Sequence, residues 1–344
     1  MKDKRMLMRV PVLAVAIVMA LLLLAGTYSV IASPTLSVGP GPDLPSAPSG
    51  TVFWTSPWEP ITRGHTLSFN HNLGRNPETY AVELLFLDTD GGLGINRRYY
   101  GGLISGTQRY GAHWQNLTAN TIQVYRQPDD NVADRVRIQV WVPPTASDYD
   151  SGWRDISQDE TLTLTHGLGI PATDLTVGLW FSSTDRGIHH FAYGGMSVNP
   201  LSGTLGAYWH NLTNNTVWVT RFISDTAVEQ VRVVVTQGEP PAYDSGWRSI
   251  ATDTATVFTH SLNWDADMLL VRGECLMPGG LGIHQQFAGG NHFWSGAWQG
   301  TNLQNLTSNT VTIFRQPDDL TCPQARVRIW KRSLLVYLPL VMRD

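Results

Sequence analysis

The segment richest in chemistry follows a Gly-Ile pair and occurs three times. In its first copy it carries Asn96, Arg97, Arg98, Tyr99 and Tyr100. The second copy carries His189, His190 and Tyr193, and the third carries His284 and Gln286. Amide, imidazole and guanidinium groups hydrogen-bond, and aromatic faces stack. That combination suits a sugar, which offers hydroxyls at its edge and C–H groups on its face. Successive side chains on a strand point to opposite faces, so polar groups here face both ways. Burying them unpaired would cost roughly a few kcal/mol each. At least one face is therefore expected to be wet or to hold a ligand. The plain alternative is a polar edge strand that blunts sheet-to-sheet pairing.

These segments sit inside a threefold internal repeat. Trp58, Trp153 and Trp247 are each followed thirteen residues later by His71, His166 and His260. Gly94, Gly187 and Gly282 lead to Gly101, Gly194 and Gly289, then to Asn-Leu-Thr at Asn116, Asn211 and Asn305. Arg126, Arg221 and Arg315 follow, each with an Asp four residues on (Asp130, Asp225, Asp319). The repeats span 51–144, 149–240 and 243–332, with short Pro-bearing joints. Alternation such as Val217 and Val219 against Trp218 and Thr220 marks half-buried strands. Six or seven short strands per repeat, punctuated by Gly, Pro and Asn, predict an all-β chain of three tandem antiparallel β-sandwich domains.

The 344 residues carry 24 Lys+Arg and 28 Asp+Glu, a net charge of −4. Charged residues are only 15% of the chain, against about 25% in an average domain. A basic nucleic-acid binder is excluded on this balance. Lys2, Lys4, Arg5 and Arg9 precede an uncharged run to Ala32. Residues 1–32 read as a signal peptide or, if uncut, a membrane anchor. Either places the rest at the cell surface or outside the cell. Residues 33–50 form a Pro/Gly/Ser linker, and 333–344 an apolar C-terminal tail too short to span a bilayer. Cys275 and Cys322 are the only cysteines. An even pair in one exported repeat is expected to form a disulfide.

Tyr149-Asp150-Ser151-Gly152-Trp153 and Tyr243-Asp244-Ser245-Gly246-Trp247 resemble the opening of H-type lectin domains, the snail-agglutinin and discoidin C-terminal family. A Pro before a β-rich strand (Pro77, Pro171) and a closing strand Val231 to Val235 are similar too. The first repeat departs, with Thr55-Ser56-Pro57-Trp58 at its opening. The resemblance implies a six-stranded sandwich that binds glycans or glycoconjugates and associates in threes, so the repeats would pack as a pseudo-trimer within one chain. It also implies a sugar-contacting Arg at Arg98, where the other repeats have Phe191 and Gln286.

No local catalytic motif is present, and no Glu recurs at a matched position for two-carboxylate glycoside hydrolysis. No cofactor is implied. Asp88-Thr89-Asp90-Gly91 opens like a calcium loop, but Tyr99 stands where the twelfth-position acid belongs. Adjacent His189 and His190 face opposite ways on a strand and do not form a simple metal pair. The Arg/Asp pairs and the Asn-Leu-Thr sites read as turn chemistry. The expected function is a secreted or surface-attached carbohydrate-binding protein without catalysis. A structural or adhesive repeat protein is the alternative, and a carbohydrate-active enzyme comes third.

Overall fold

The computed structural model describes residues 53–143, 147–197, 203–292 and 296–332. The leader, the linker and the C-terminal tail read from the sequence lie outside them. The described chain is all-β, as the alternation predicts, with only three short 3-10 turns (Pro77–Thr79, Ala172–Asp174, Ala266–Met268). No described helix is long and apolar enough to cross a membrane.

Each repeat folds by the same plan. In the first, strands Phe53–Thr55 and Glu59–Pro60 both pair with Arg135–Trp141. That strand pairs with Ala81–Asp88, and Ala81–Asp88 with Gly94–Asn96, completing an antiparallel sheet of five strands. Thr66–Asn70, Thr121–Arg126 and Ala112–Gln115 form a sheet of three. A small hairpin joins Leu103–Ser105 to Gln108–Tyr110. Leu84, Phe86 and Ile138 of the larger sheet and Trp114, Ile122 and Val124 of the smaller are fully buried in one core. Equivalent cores lie in the other two repeats.

The tandem arrangement of separate sandwiches needs correction. Six sheets, three of five strands and three of three, follow one another in a six-bladed, propeller-like ring. The reason lies at the strand edges. Gly94–Asn96 closes its own sheet and would leave unpaired backbone on its outer side, which proteins avoid. Instead, Leu306 N–H of the third repeat donates to Ile95 O (3.1 Å), and Arg97 N–H donates to Leu303 O (2.9 Å). The second repeat meets the first through Leu117 N–H to Ile188 O (3.3 Å) and His190 N–H to Trp114 O (3.0 Å). The third meets the second through Leu212 N–H to Ile283 O (3.4 Å) and Gln285 N–H to Trp209 O (3.3 Å). Each repeat thus gives an edge to its neighbour, and the last neighbour is the first.

Apolar packing follows the same path. Ile188 packs on the core of the first repeat, Ile283 on that of the second and Ile95 on that of the third. The recurrent Gly and Asn also sit at these seams. A Cβ on Gly94 would meet Asn305 Oδ1 at 3.2 Å, and one on Gly187 would meet Asn116 Oδ1 at 3.3 Å. Asn116, Asn211 and Asn305 all have left-handed φ (51°, 48°, 51°), as the turn reading requires.

The Arg/Asp pairs lock turns. Arg126 Nε donates to Asp130 Oδ2 (2.8 Å), and Asp130 is fully buried, accepting also from Gly111 N–H (2.7 Å) and Ala133 N–H (2.9 Å). The opening Asp of repeats two and three pairs with the closing strand, Asp150 with Arg232 and Asp244 with Arg326. Where the first repeat has Thr55 instead, Arg137 pairs with Asp267 of the third repeat, and Trp58 Nε1 donates to the same carboxylate (3.0 Å). The departure at the opening thus becomes a contact that closes the ring. The expected Cys275–Cys322 disulfide is present. Cys275 takes the core position held by Phe86 and Phe181 in the other repeats. With its ends 47 positions apart in sequence, the bridge stabilises by about 4 kcal/mol on loop-closure entropy.

Candidate functional site

Three matched turns meet where the repeats converge. Tyr99, Ala192 and Phe287 hold left-handed φ (60°, 60°, 55°). Tyr99 N–H donates to Gly289 O (2.7 Å), Ala192 N–H to Gly101 O (2.9 Å) and Phe287 N–H to Gly194 O (2.7 Å). The hydrogen bonds form a closed triangle. A Cβ on Gly101 would stand 2.7 Å from Tyr193 N, on Gly194 2.9 Å from Gln285 O, and on Gly289 2.8 Å from Tyr100 N. Only glycine lets the turns approach this closely, which explains why those glycines recur.

Above this triangle lies a chamber of about 660 Å³ lined by all three repeats. Ala288 and Gly289 are at its triangle end, while the exposed Gln237, Gly238 and Glu239 line the other end and make a mouth. The space has a local origin. Between the first and second repeats, Trp114 Nε1 donates to Tyr100 Oη (3.0 Å), and that hydroxyl contacts His190 Nδ1 (2.7 Å). Between the second and third, Tyr193 Oη donates to Gln285 Oε1 (2.5 Å), which also accepts from Trp209 Nε1 (3.1 Å). At the third seam Leu303 replaces the Trp and Ala288 replaces the Tyr. The smaller side chains leave room, and Arg97 turns to pair with Glu83.

Protonation in the first relay follows from its partners. Burial raises the Tyr100 phenol well above its ordinary value, so it keeps its proton. Its oxygen accepts from Trp114, so its O–H donates to His190 Nδ1. His190 Nε2–H then donates to Leu179 O (2.7 Å). The imidazole is neutral, and burial holds its pKa well below 6.5.

The ten residues singled out from the sequence fall into different surroundings. Arg97, Tyr100, His190 and Tyr193 line the chamber. Asn96, His189 and His284 point the other way and are fully buried. Each accepts the N–H two residues on: Asn96 Oδ1 from Arg98 (3.0 Å), His189 Nδ1 from Phe191 (3.1 Å), His284 Nδ1 from Gln286 (3.1 Å). They lock the turn rather than meet a ligand. Arg98 lies over the Tyr99 ring (4.7 Å), and Tyr99 packs with Leu103 and Val132 away from the chamber. Gln286 belongs to the equivalent turn of the third repeat and does not line the chamber.

Several chamber residues escaped the sequence reading, Trp141 and Trp330 among them. Arg272 is on the strand Leu269–Met277, at the position of Glu83 and Gly178, and Arg332 directly follows the last described strand, Gln324–Lys331. A charge within a largely apolar strand was the available signal for Arg272. Glu83 escaped because neither matched position carries an acid. The Asp88, Asp90 and Asp134 carboxylates lie within 4.8 Å of one another. Asp88 Oδ1 accepts from Gly91 N–H (2.7 Å) and Oδ2 from Leu93 N–H (3.0 Å), so this loop folds around its own acid.

No protein-family model matches the chain, and no curated protein or solved structure does either.

Proposed function

We propose that this is a carbohydrate-binding protein without catalysis, working outside the cytoplasm with its ligand in the axial chamber. One observation carries the reading: aromatic faces and hydrogen-bonding groups from three repeats converge on one space of about 660 Å³. That size lies within the usual range for small-ligand pockets. Trp141 and Trp330 offer rings near the mouth, and guanidinium groups offer donors beyond them. The resemblance to H-type lectin repeats points to the same ligand class, although the chamber is not where that resemblance placed Arg98.

Non-catalysis is supported by the acids. Among the described lining residues the carboxylates are Glu83 and Glu239. Glu83 is paired with Arg97, and Glu239 is exposed at the mouth. A glycosidase needs two carboxylates opposed across a bond. The disulfide accords with an oxidising compartment.

A glycan array probed with the full chain tests this reading. Binding to a defined set of sugars, abolished by Trp141→Ala, is expected. An array with no signal above background would leave the structural or adhesive repeat protein as the better account.

A further inference from the structure

The chamber's charges do not balance. Among its described lining residues are Arg97, Arg272, Arg332 and Lys331 against Glu83 and Glu239, four cations against two carboxylates. Glu239 is at the exposed mouth, and the Lys331 ammonium lies 5.2 Å over the Trp264 ring. Deeper in, three guanidinium groups face a single carboxylate. Glu83 pairs with Arg97. Behind the wall Arg328 pairs with Glu274, and the two charges act on Arg272 with opposite sign.

Arg272 and Arg332 have only neutral partners. Arg272 Nη1 donates to Val177 O (2.9 Å). Arg332 Nη1 donates to Gln139 Oε1 (3.1 Å), and its guanidinium carbon is 3.5 Å from the Trp141 ring centroid. Its Nη2 is buried without a hydrogen-bond partner. Burial, with the Arg272 and Arg97 charges adding, brings Arg332 down to about 9. Burial, with Arg272 adding, brings Arg97 down to about 10. Both stay protonated at neutral pH, and the mutual repulsion marks them as neighbours around one space. Burying unpaired charge is expensive, and an anion in the chamber would relieve it.

We propose that the axial chamber recognises a small organic anion, whose carboxylate or sulfate group is held by Arg272 and Arg332 while its body lies against the chamber's aromatic lining. This rests on the carbohydrate reading only for the body of the ligand, which would then be a sugar acid. The planar guanidinium presents paired donors that match a carboxylate. The Trp141 ring, 3.5 Å from the Arg332 guanidinium carbon, holds that group against one wall.

Calorimetric titration of the full chain with galacturonate, galactose, sodium acetate and sodium sulfate tests this. Galacturonate is expected to bind about tenfold or more tightly than galactose, since hydrogen bonds to charged groups contribute about 1.5–3 kcal/mol. The preference should shrink as salt rises, and Arg332→Gln and Arg272→Gln should each remove it. The salt series needs no variant, so it decides the matter even if a substitution unfolds the ring. Galactose binding as tightly as galacturonate would overturn the anion site and leave the carbohydrate reading standing. Sulfate and acetate binding as well as galacturonate would support the anion site and count against the carbohydrate reading. No binding by any of the four would overturn the anion site.

Discussion

Asn96, His189 and His284 hold one position in three repeats, and two of the three titrate. His284 Nδ1 accepts an N–H while its Nε2 donates to Thr321 O (2.8 Å). His189 makes the same turn bond and contacts Ser183 Oγ (3.2 Å). A protonated ring could not accept the turn N–H, so the fold requires neutral imidazole. Burial lowers His189 to about 3 and His284 to about 4, from an ordinary 6.5. Below pH 6.5 the unfolded chain therefore takes up protons that the folded chain refuses. The stability these groups carry is complete above 6.5 and declines as pH falls toward 4. Each contributes a slope of about 1.4 kcal/mol per pH unit in that window. The double variant His189→Asn/His284→Asn copies the first repeat. Urea midpoints measured from pH 7 to pH 4 should then fall less steeply than in the natural protein, and an unchanged slope would refute the assignment. Residue types at these positions were legible from sequence as polar and recurrent. Their task was not, because a turn-locking side chain and a chamber-facing one stand side by side in the same short segment.

The strand bearing Ile95, Ile188 or Ile283 is three residues long and serves two cores. It closes the larger sheet of its own repeat and presses its Ile on the core of the adjacent repeat. Ile283→Ala should accordingly cost about 2–5 kcal/mol, as an internal core truncation does. Denaturant unfolding checks this, and a loss below about 0.5 kcal/mol would mean the seam contributes no more than a surface contact. Period-two alternation revealed which residues of Thr121–Arg126 or Gln230–Thr236 are buried. It could not reveal in whose core an Ile lies, since alternation reports burial on a face and is silent about the owner of the opposing face. The Gly pairs show the same limit. Their recurrence was plain, but the close approach that demands them joins residues about ninety positions apart at two seams and about 190 at the third.

Closure makes the three repeats one cooperative object. Removing residues 243–332 would strip Ile95 of its core and free the outer edge of Gly94–Asn96. It would also leave Arg137 and Trp58 without Asp267. Exposed edges pair with other chains. The truncated protein is expected to self-associate in sedimentation velocity, whereas the intact chain should stay monomeric. A monomeric, folded two-repeat fragment would show that the ring is dispensable. The number of repeats and their all-β character could be read directly from the spacing of Trp, Gly and Asn. The ring could not, because hydrogen bonds between edges leave no mark on composition.

Fusion into one chain also lets the seams diverge, and here they have done so. Two are filled by Trp-Tyr relays, and the third holds Leu303 and Ala288. A layer of Glu83, Gly178 and Arg272 has a different charge at each of its corners. Three identical subunits around an axis would have to repeat whatever one of them displays, making a multivalent particle able to bridge surfaces. This chain concentrates its differences on one cavity, so the proposed ligand site occurs once per chain. Under the proposed reading, a ligand held there would be held singly, and the chamber would give the molecule no second hand with which to crosslink.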